Sequence, residues 1–211
     1  MIDRFLLPVQ QALLRPAARL LAARGVLADR ITLAAFGIGV LAIPALAFGW
    51  YGLALALILA NRALDGLDGA VARETQPTDR GAFLDIAADF FFYGLVPLGF
   101  ALADPAANAL AAAFVITTFI GTGSSFLAFA AIAARRGETS TAYPAKGIYY
   151  LGGLTEGAET IALFIAMCLW PRAFPTFAIL FALLCLITTA LRWHWGWQAF
   201  SAPTNHDGMD A

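Results

Sequence analysis

Residues 61–92 read NRALDGLDGAVARETQPTDRGAFLDIAADFFF, and this stretch decides how the chain is arranged. It joins two long apolar segments through a short polar connection. Four aspartates stand at the facing ends of those segments: Asp65, Asp68, Asp85 and Asp89. An aspartate at the centre of a membrane helix costs on the order of 2.5–3.5 kcal/mol on insertion scales. Four of them in adjoining segments therefore require a nearby source of positive charge.

The composition extends the membrane interpretation to the rest of the chain. Of the 211 residues, 61% are hydrophobic, and the mean hydropathy is +0.76, whereas soluble domains are about 45–50% apolar. The excess fits several lipid-solvated segments of about 20 residues each. These should be helices, because a backbone in hydrocarbon must satisfy its own hydrogen bonds. The net charge of −1 and the lack of a basic stripe predict no nucleic-acid partner.

We therefore predict an all-α polytopic membrane protein with six transmembrane helices. The predicted spans are 31–50, 51–72, 82–103, 107–134, 148–170 and 173–196. Together, residues 29–198 form the membrane domain, and residues 199–211 are expected to be a disordered tail. Residues 1–28 have apolar side chains near helical spacing with arginines between them, which predicts an amphipathic helix on the membrane surface. Pro8 and Pro16 are expected to bend or divide that helix.

Cationic residues predict the orientation of the spans. They concentrate before span one, between spans two and three, between spans four and five, and near the end of span six, where Arg192 lies. The other three connections contain only Arg172. Under the positive-inside rule, both termini and the aspartates then lie on the cytoplasmic side of the cytoplasmic membrane.

The spacing of the aspartates predicts a metal site. Asp65 and Asp68 lie three residues apart, so they share a helix face, and Asp85 and Asp89 share a face of the next helix. A short connection points the two faces at each other. Hard oxygen ligands favour Mg²⁺ or Mn²⁺, and the nearby cations Arg62, Arg73 and Arg80 would not fully neutralise these acids. The alternative is structural: small residues here pack helices together, and an Asp–Arg pair only links them.

The same residues resemble a family signature. Asp65-Gly-Leu-Asp68-Gly69-Ala-Val-Ala72-Arg73, seven further residues, and Gly81-Ala-Phe-Leu-Asp85-Ile-Ala-Ala-Asp89 are similar to the pattern of the CDP-alcohol phosphatidyltransferases, with all eight signature positions present. The resemblance implies an enzyme that moves a phosphatidyl group from CDP-diacylglycerol, or a similar CDP-alcohol, to the hydroxyl of a polar acceptor and releases CMP. It also implies two Mg²⁺ or Mn²⁺ ions and a homodimer.

The resemblance assigns roles position by position. Asp65, Asp68 and Asp85 would bind the two metals, while Asp89 would touch the second metal and act as general base. The CDP moiety would be received by four signature residues: Gly69, Ala72, Arg73 and Gly81. Thr32 is a weaker candidate for a nucleotide contact, because a threonine near a helix start is usually a cap.

An acceptor pocket is suggested by other polar residues. Glu156 and Glu159 share a face early in span five, and carboxylates within a membrane are functional candidates by default. Lys146 borders the same side and would attract an acceptor that carries a phosphate. The structural alternative is that the glutamates pair with Arg62 or Lys146 and hold helices together. Because the acidic and basic cues disagree, the identity of the acceptor stays open.

Two other functions compete with the transferase. An ion-coupled transporter would use the carboxylates to relay protons or carry metal, but it more naturally shows repeated halves and helices broken at mid-membrane. A membrane prenyltransferase also uses aspartate-rich motifs with Mg²⁺, but that class resembles longer chains and lacks the continuation from Asp68 to Arg73. Assays with CDP-diacylglycerol and with prenyl diphosphate separate the three.

Overall fold

The computed structural model describes residues 3–137 and 153–201, and these residues are helical apart from short connections. The order is α1 (Asp3–Ala23), α2 (Ala28–Ala47), α3 (Tyr51–Glu74), α4 (Asp79–Ala103), α5 (Pro105–Arg135), α6 (Gly157–Leu169) and α7 (Phe174–Ala199), with a 3₁₀ turn at Pro171–Ala173. The all-α prediction is confirmed.

Four segments in the described parts of the chain are long and apolar enough to cross a membrane: α2, α4, α5 and the unit formed by the 3₁₀ turn with α7. The 24 residues of α3 are also long enough, but this helix carries Arg62, Asp65 and Asp68. With 13 residues, α6 rises only about 20 Å, against a hydrocarbon core of about 30 Å. The six-span topology therefore remains a prediction.

The predicted fifth span differs most from the structure. Its first residues, 148–152, lie outside the described residues, and residues 153–156 are not helical, so the prediction of helix there was wrong. The physical reason is a capping box at the start of α6. The Glu159 side chain accepts the backbone N–H of Glu156 at 3.2 Å, and the Glu156 side chain accepts from the backbone of the first turn. Carboxylates in this arrangement satisfy the unpaired donors of a helix start.

Helix α1 is packed onto the rest of the protein. Ala18 is fully buried in a small cluster with Ile31, Ala70 and Val71, so one face of α1 covers α2 and α3. The opposite side exposes apolar residues such as Leu13, which is 77% exposed. The helix continues through both of its prolines, so they do not divide it, and a bend at either one stays a prediction. Its place on a membrane surface remains a prediction, as do the limits 1–28.

The packing of α2 decides where the site lies. Helix α2 packs against both α3 and α4, whereas α3 and α4 make little direct contact with each other in the described residues. Side chains of α3 and α4 both reach α2 at Gly39, where an added Cβ would lie 2.9 Å from Asn61 Nδ2 and from Phe92 ring carbons. We call the space between α3 and α4, with α2 behind it, the cleft; the carboxylates of Asp65, Asp68 and Asp85 meet there.

Candidate active site

Three of the four aspartates meet in the cleft. Asp65 and Asp68 come from the second half of α3 and Asp85 from the second turn of α4, and one carboxylate oxygen of each lies within 4.8 Å of the other two. Asp68 is buried, while Asp65 and Asp85 are half-buried. Like charges at this separation repel strongly where water is scarce. Such an arrangement is the one expected of ligands to a divalent cation.

The surroundings of Asp68 test whether a metal fits. Its Oδ2 atom is buried and has no hydrogen-bond donor among the described residues. The Thr32 side chain of α2 lies within hydrogen-bonding reach of the same carboxylate. A buried carboxylate oxygen without a donor is costly, and a cation between the three side chains would satisfy it. The all-oxygen donor set fits Mg²⁺ or Mn²⁺.

The fourth aspartate is arranged differently. Asp89 lies one helical turn beyond Asp85 on α4, outside the group of three, and its Oδ1 is 2.8 Å from Nη1 of Arg62. The same guanidinium nitrogen is 3.5 Å from Asp65 Oδ2. Arg62 therefore pairs with the aspartates, not with Glu156 or Glu159 as one structural alternative supposed. In the sequence, Arg62 lies three residues before Asp65, and this position does not indicate that its partner is Asp89 on another helix.

The small signature residues make room for charged side chains. A Cβ added at Gly69 would lie 3.3 Å from Arg73 Nη1, so the exposed Arg73 folds back along α3 over this glycine. A Cβ at Gly81 would lie 3.0 Å from Asp29 Oδ1 and 3.1 Å from Thr78 Oγ1. Ala72 lies beside Arg73 and is half-buried. Gly69 and Gly81 thus keep the rim of the cleft open to charged groups.

Asp29 is a rim residue that sequence reasoning missed. It accepts a hydrogen bond from Arg80 Nε at 2.7 Å, which links the start of α2 to the start of α4. The start of α4 is also capped, because Thr78 Oγ1 accepts the N–H of Gly81 at 3.0 Å. An aspartate in the first turn of a helix ordinarily suggests only an N-terminal charge preference. Nothing in the spacing of residues indicated its partner 51 positions away.

The predicted acceptor residues lie elsewhere. Glu156 and Glu159 form the capping box of α6, and Glu156 also accepts the N–H of Gly153 at 3.1 Å. Lys146 lies outside the described residues. From the sequence, Arg192 was predicted to lie at the cytoplasmic membrane surface. In the structure it is buried, and its Nη1 donates to the carbonyl oxygen of Thr122 at 2.8 Å. A buried arginine in the midst of α7 was not predicted, because its polar partners come from another helix.

Comparison with known proteins shows the family of this chain. The family model for CDP-alcohol phosphatidyltransferase matches residues 25–203. The chain belongs to the CDP-alcohol phosphatidyltransferase family. The resemblance drawn from the signature is therefore confirmed, and the described aspartates lie inside the matched region.

Relatives of this phosphatidyltransferase family member include one curated protein and two solved structures. The chain is 55% identical over 192 residues to the inner membrane protein YnjF of Escherichia coli K12, covering 91% of this chain and 93% of that protein. It also resembles the crystal structure of the Mycobacterium tuberculosis phosphatidylinositol phosphate synthase PgsA1 with CDP-DAG bound, at a TM-score of 0.64 and 25% identity, covering 87% of this chain and 93% of that one. A second structure of PgsA1, in complex with manganese and citrate, has a TM-score of 0.65 at 24% identity and covers 87% and 88%.

Proposed function

We propose that this protein is an integral enzyme of the inner membrane that transfers a phosphatidyl group from a CDP-linked lipid to the hydroxyl of a polar alcohol. The observation that carries the proposal is the convergence of Asp65, Asp68 and Asp85 within 4.8 Å, in a cleft whose rim carries Arg73. Membership of the phosphatidyltransferase family supports the reaction class. The CDP-DAG bound to the similar PgsA1 supports the donor, and the membrane of YnjF supports the location.

Asp65, Asp68 and Asp85 are the proposed holders of two divalent ions, Mg²⁺ or Mn²⁺, and Asp89 would touch the second ion. When bound, such ions supply positive charge that neutralises a diphosphate and its leaving group. Asp68 would be the central ligand, because it is the most buried of the three and has an oxygen without a donor among the described residues. Thr32, which neighbours Asp68, lies at the back of the cleft and is proposed to orient that carboxylate and to border the nucleotide.

The remaining signature residues have proposed roles on the donor and acceptor sides. Arg73 lies folded over Gly69, and we propose that it donates hydrogen bonds to the diphosphate, with Ala72 and Gly81 leaving space for the nucleotide. Asp89 accepts the proton of the acceptor hydroxyl. The alcohol oxygen forms a bond to the phosphorus that bears diacylglycerol, the bond from that phosphorus to the CMP oxygen breaks, and CMP leaves with the electron pair.

We also propose acceptor contacts, an orientation in the membrane and an oligomeric state. Glu156, Glu159 and Lys146 are the proposed acceptor contacts, and the two glutamates already accept backbone N–H groups at the start of α6. The arginine-rich segments support a site that faces the cytoplasm with both termini on that side. A homodimer is proposed from the family resemblance alone. The transporter alternative is disfavoured by the family match and by the gathering of the acids in one cleft.

The deciding experiment is an assay of the purified full chain. The protein is incubated with CDP-diacylglycerol, Mg²⁺ and a panel of polar alcohols, and CMP and the lipid product are measured. We expect CMP release that depends on one class of alcohol, is lost in EDTA and returns with Mg²⁺ or Mn²⁺. Asp65→Asn should be inactive. Asp104→Asn is the matched control, because Asp104 only caps α5 by accepting the N–H of Ala107 at 3.1 Å, and asparagine caps equally well. Absence of CMP release with every acceptor would refute the proposal.

A further inference from the structure

Arg62 stands out because it is a mostly buried arginine that lies in the cleft but belongs to no signature position. Its side chain is only 15% exposed. The guanidinium lies 5.0 Å from the ring centre of Phe92 and 5.6 Å from that of Tyr93, both on α4. Its Nη1 atom is 2.8 Å from Asp89 Oδ1. The arginine therefore crosses from α3 to α4 at the level where the two helices would otherwise be separated by the cleft.

A second residue holds Arg62 in this position. Arg62 Nε donates to Asn61 Oδ1 at 2.7 Å, and Asn61 Nδ2 donates to the carbonyl oxygen of Ala35 on α2 at 2.8 Å. Asn61 is itself 2% exposed and packs against Gly39. The guanidinium is thus fixed on one edge by the backbone of α2, through Asn61, and two aromatic rings lie next to it. A side chain fixed this way has little rotamer freedom left to lose when it binds a carboxylate.

We infer that Arg62 is a positioning residue for Asp89. It holds the Asp89 carboxylate against α3 and beside Asp65, whose Oδ2 is 3.5 Å from the same nitrogen, so that the remaining oxygen of Asp89 faces the acceptor hydroxyl in a fixed direction. This inference rests on the proposed function, because it assigns a partner to the proposed general base. A general base works only if the proton lies within hydrogen-bond reach. A displacement of 1 Å costs roughly 100-fold in rate.

The geometry favours an arginine over a lysine in this role. One planar guanidinium contacts Asn61 through Nε and Asp89 through Nη1 at the same time, and it lies close to the rings of Phe92 and Tyr93. An ammonium group has no plane to stack and cannot present this fixed fork. Lysine would therefore keep the positive charge of the site but lose the direction of Asp89.

The test compares Arg62→Met and Arg62→Lys with the parent chain in the CMP-release assay. We expect kcat to fall about 100-fold in Arg62→Met and about 10-fold in Arg62→Lys. The KM for CDP-diacylglycerol should stay within about threefold of the parent value. Arg19→Met is the matched control and should retain full kcat, because Arg19 pairs with Glu74 outside the cleft and Arg15 contacts the same carboxylate.

Several outcomes would overturn the inference. An unchanged kcat in Arg62→Met shows that Asp89 needs no partner. A change confined to KM shows that Arg62 only neutralises charge. A kcat in Arg62→Lys equal to that of the parent shows that charge suffices and direction does not. If Arg62→Met does not fold, Arg62→Lys alone still decides between charge and direction.

A measurement without turnover separates this inference from the proposed function. Thermal unfolding is recorded for the parent, Arg62→Met, Asp89→Asn and the double variant. If the two residues act as a pair, Asp89→Asn lowers the Tm in the parent but not in the Arg62→Met background. Equal Tm shifts in both backgrounds refute the pairing. A parent chain that releases no CMP refutes the proposed function, and the unfolding cycle still tests the pair.

Discussion

At the scale of single residues, the cleft contains more negative charge than its own cations balance. Asp68 shows this most clearly, because its carboxylate is buried and its Oδ2 has no donor within the described part of the chain. Arg62 is engaged with Asp89 and Asp65, and Arg80 with Asp29. Added positive charge would therefore stabilise the Asp65–Asp68–Asp85 group.

The first residue-scale prediction concerns metal affinity. Asp68→Asn keeps the shape of the side chain but replaces the central anionic ligand, so we expect Mn²⁺ to bind at least about tenfold more weakly. Calorimetric titration of the purified protein with Mn²⁺ measures this without any assay of turnover. Asp79→Asn is the control, since Asp79 is exposed at the first position of α4. Equal affinity in the parent and Asp68→Asn would contradict the assignment of Asp68 as a ligand.

The second residue-scale prediction concerns the general base. In Asp89→Asn, the amide side chain cannot accept the proton of the acceptor hydroxyl. We therefore expect turnover to be lost while CDP-diacylglycerol still binds. Loss of a positioned base typically costs 10²–10⁴-fold in rate. Radiolabelled CDP-lipid binding and CMP release, measured on the same preparation, separate the two effects. Full activity in this variant would remove Asp89 from the role.

The site could be predicted from sequence only in part. The carboxylate cluster could be predicted, because Asp65, Asp68 and Asp85 recur at helical spacing on either side of one short connection. The pairs Arg62–Asp89 and Asp29–Arg80 could not, because they depend on the rotation of one helix against another, which spacing along a single helix does not encode. For the same reason, Arg192 was predicted at a membrane surface although it is buried.

At the scale of elements, glycines set how closely helices approach. A Cβ at Gly99 of α4 would lie 2.8 Å from Leu46 Cδ1 on α2, and 3.4 Å from the Ile43 carbonyl oxygen. Leu46 is fully buried, so it cannot move aside without opening the core. Small residues at membrane helix crossings serve this purpose generally. The all-helical fold could be predicted from composition, but the contact points between helices could not.

The element-scale prediction uses two glycines of the same helix. Gly99→Val should destabilise the α2–α4 contact by about 1–3 kcal/mol, as overpacking does in other cores. Gly94→Val is the matched control, because an added Cβ at Gly94 meets nothing within 4 Å. Both variants share the intrinsic helix preference of valine, so the difference between their unfolding free energies isolates the crossing. Equal destabilisation of both would show that α2 and α4 do not meet at Gly99.

At the scale of the whole molecule, topology depends on α6. Its length is below that of a simple span, and it starts at the capping box of Glu156 and Glu159, which no periodicity of apolar residues predicted. Four described segments are candidate spans, and α3 is long enough despite its charges. Six spans place both termini on one side of the membrane. If α6 does not cross, the two ends of the chain lie on opposite sides.

The whole-molecule prediction is a labelling pattern. Cys168 and Cys185, both buried, are first replaced by alanine. One cysteine is then introduced in place of Thr75, Arg172 or Ser201, and intact cells that contain each variant are labelled. Six spans predict that a membrane-impermeant maleimide labels the Arg172 position from outside and leaves Thr75 and Ser201 unlabelled until the membrane is opened. Labelling of Ser201 from outside would rule out the six-span arrangement.

The backbones of α3 and α4 both pack on α2 and stay apart from each other, so α2 sets the distance between the two helices. At Gly39 of α2, the side chains of Asn61 and Phe92 leave no space for a larger residue. A bulkier residue there would displace Asn61, and with it the guanidinium of Arg62 that contacts Asp89. One small residue on the back wall therefore couples the distance between α3 and α4 to the placement of Asp89.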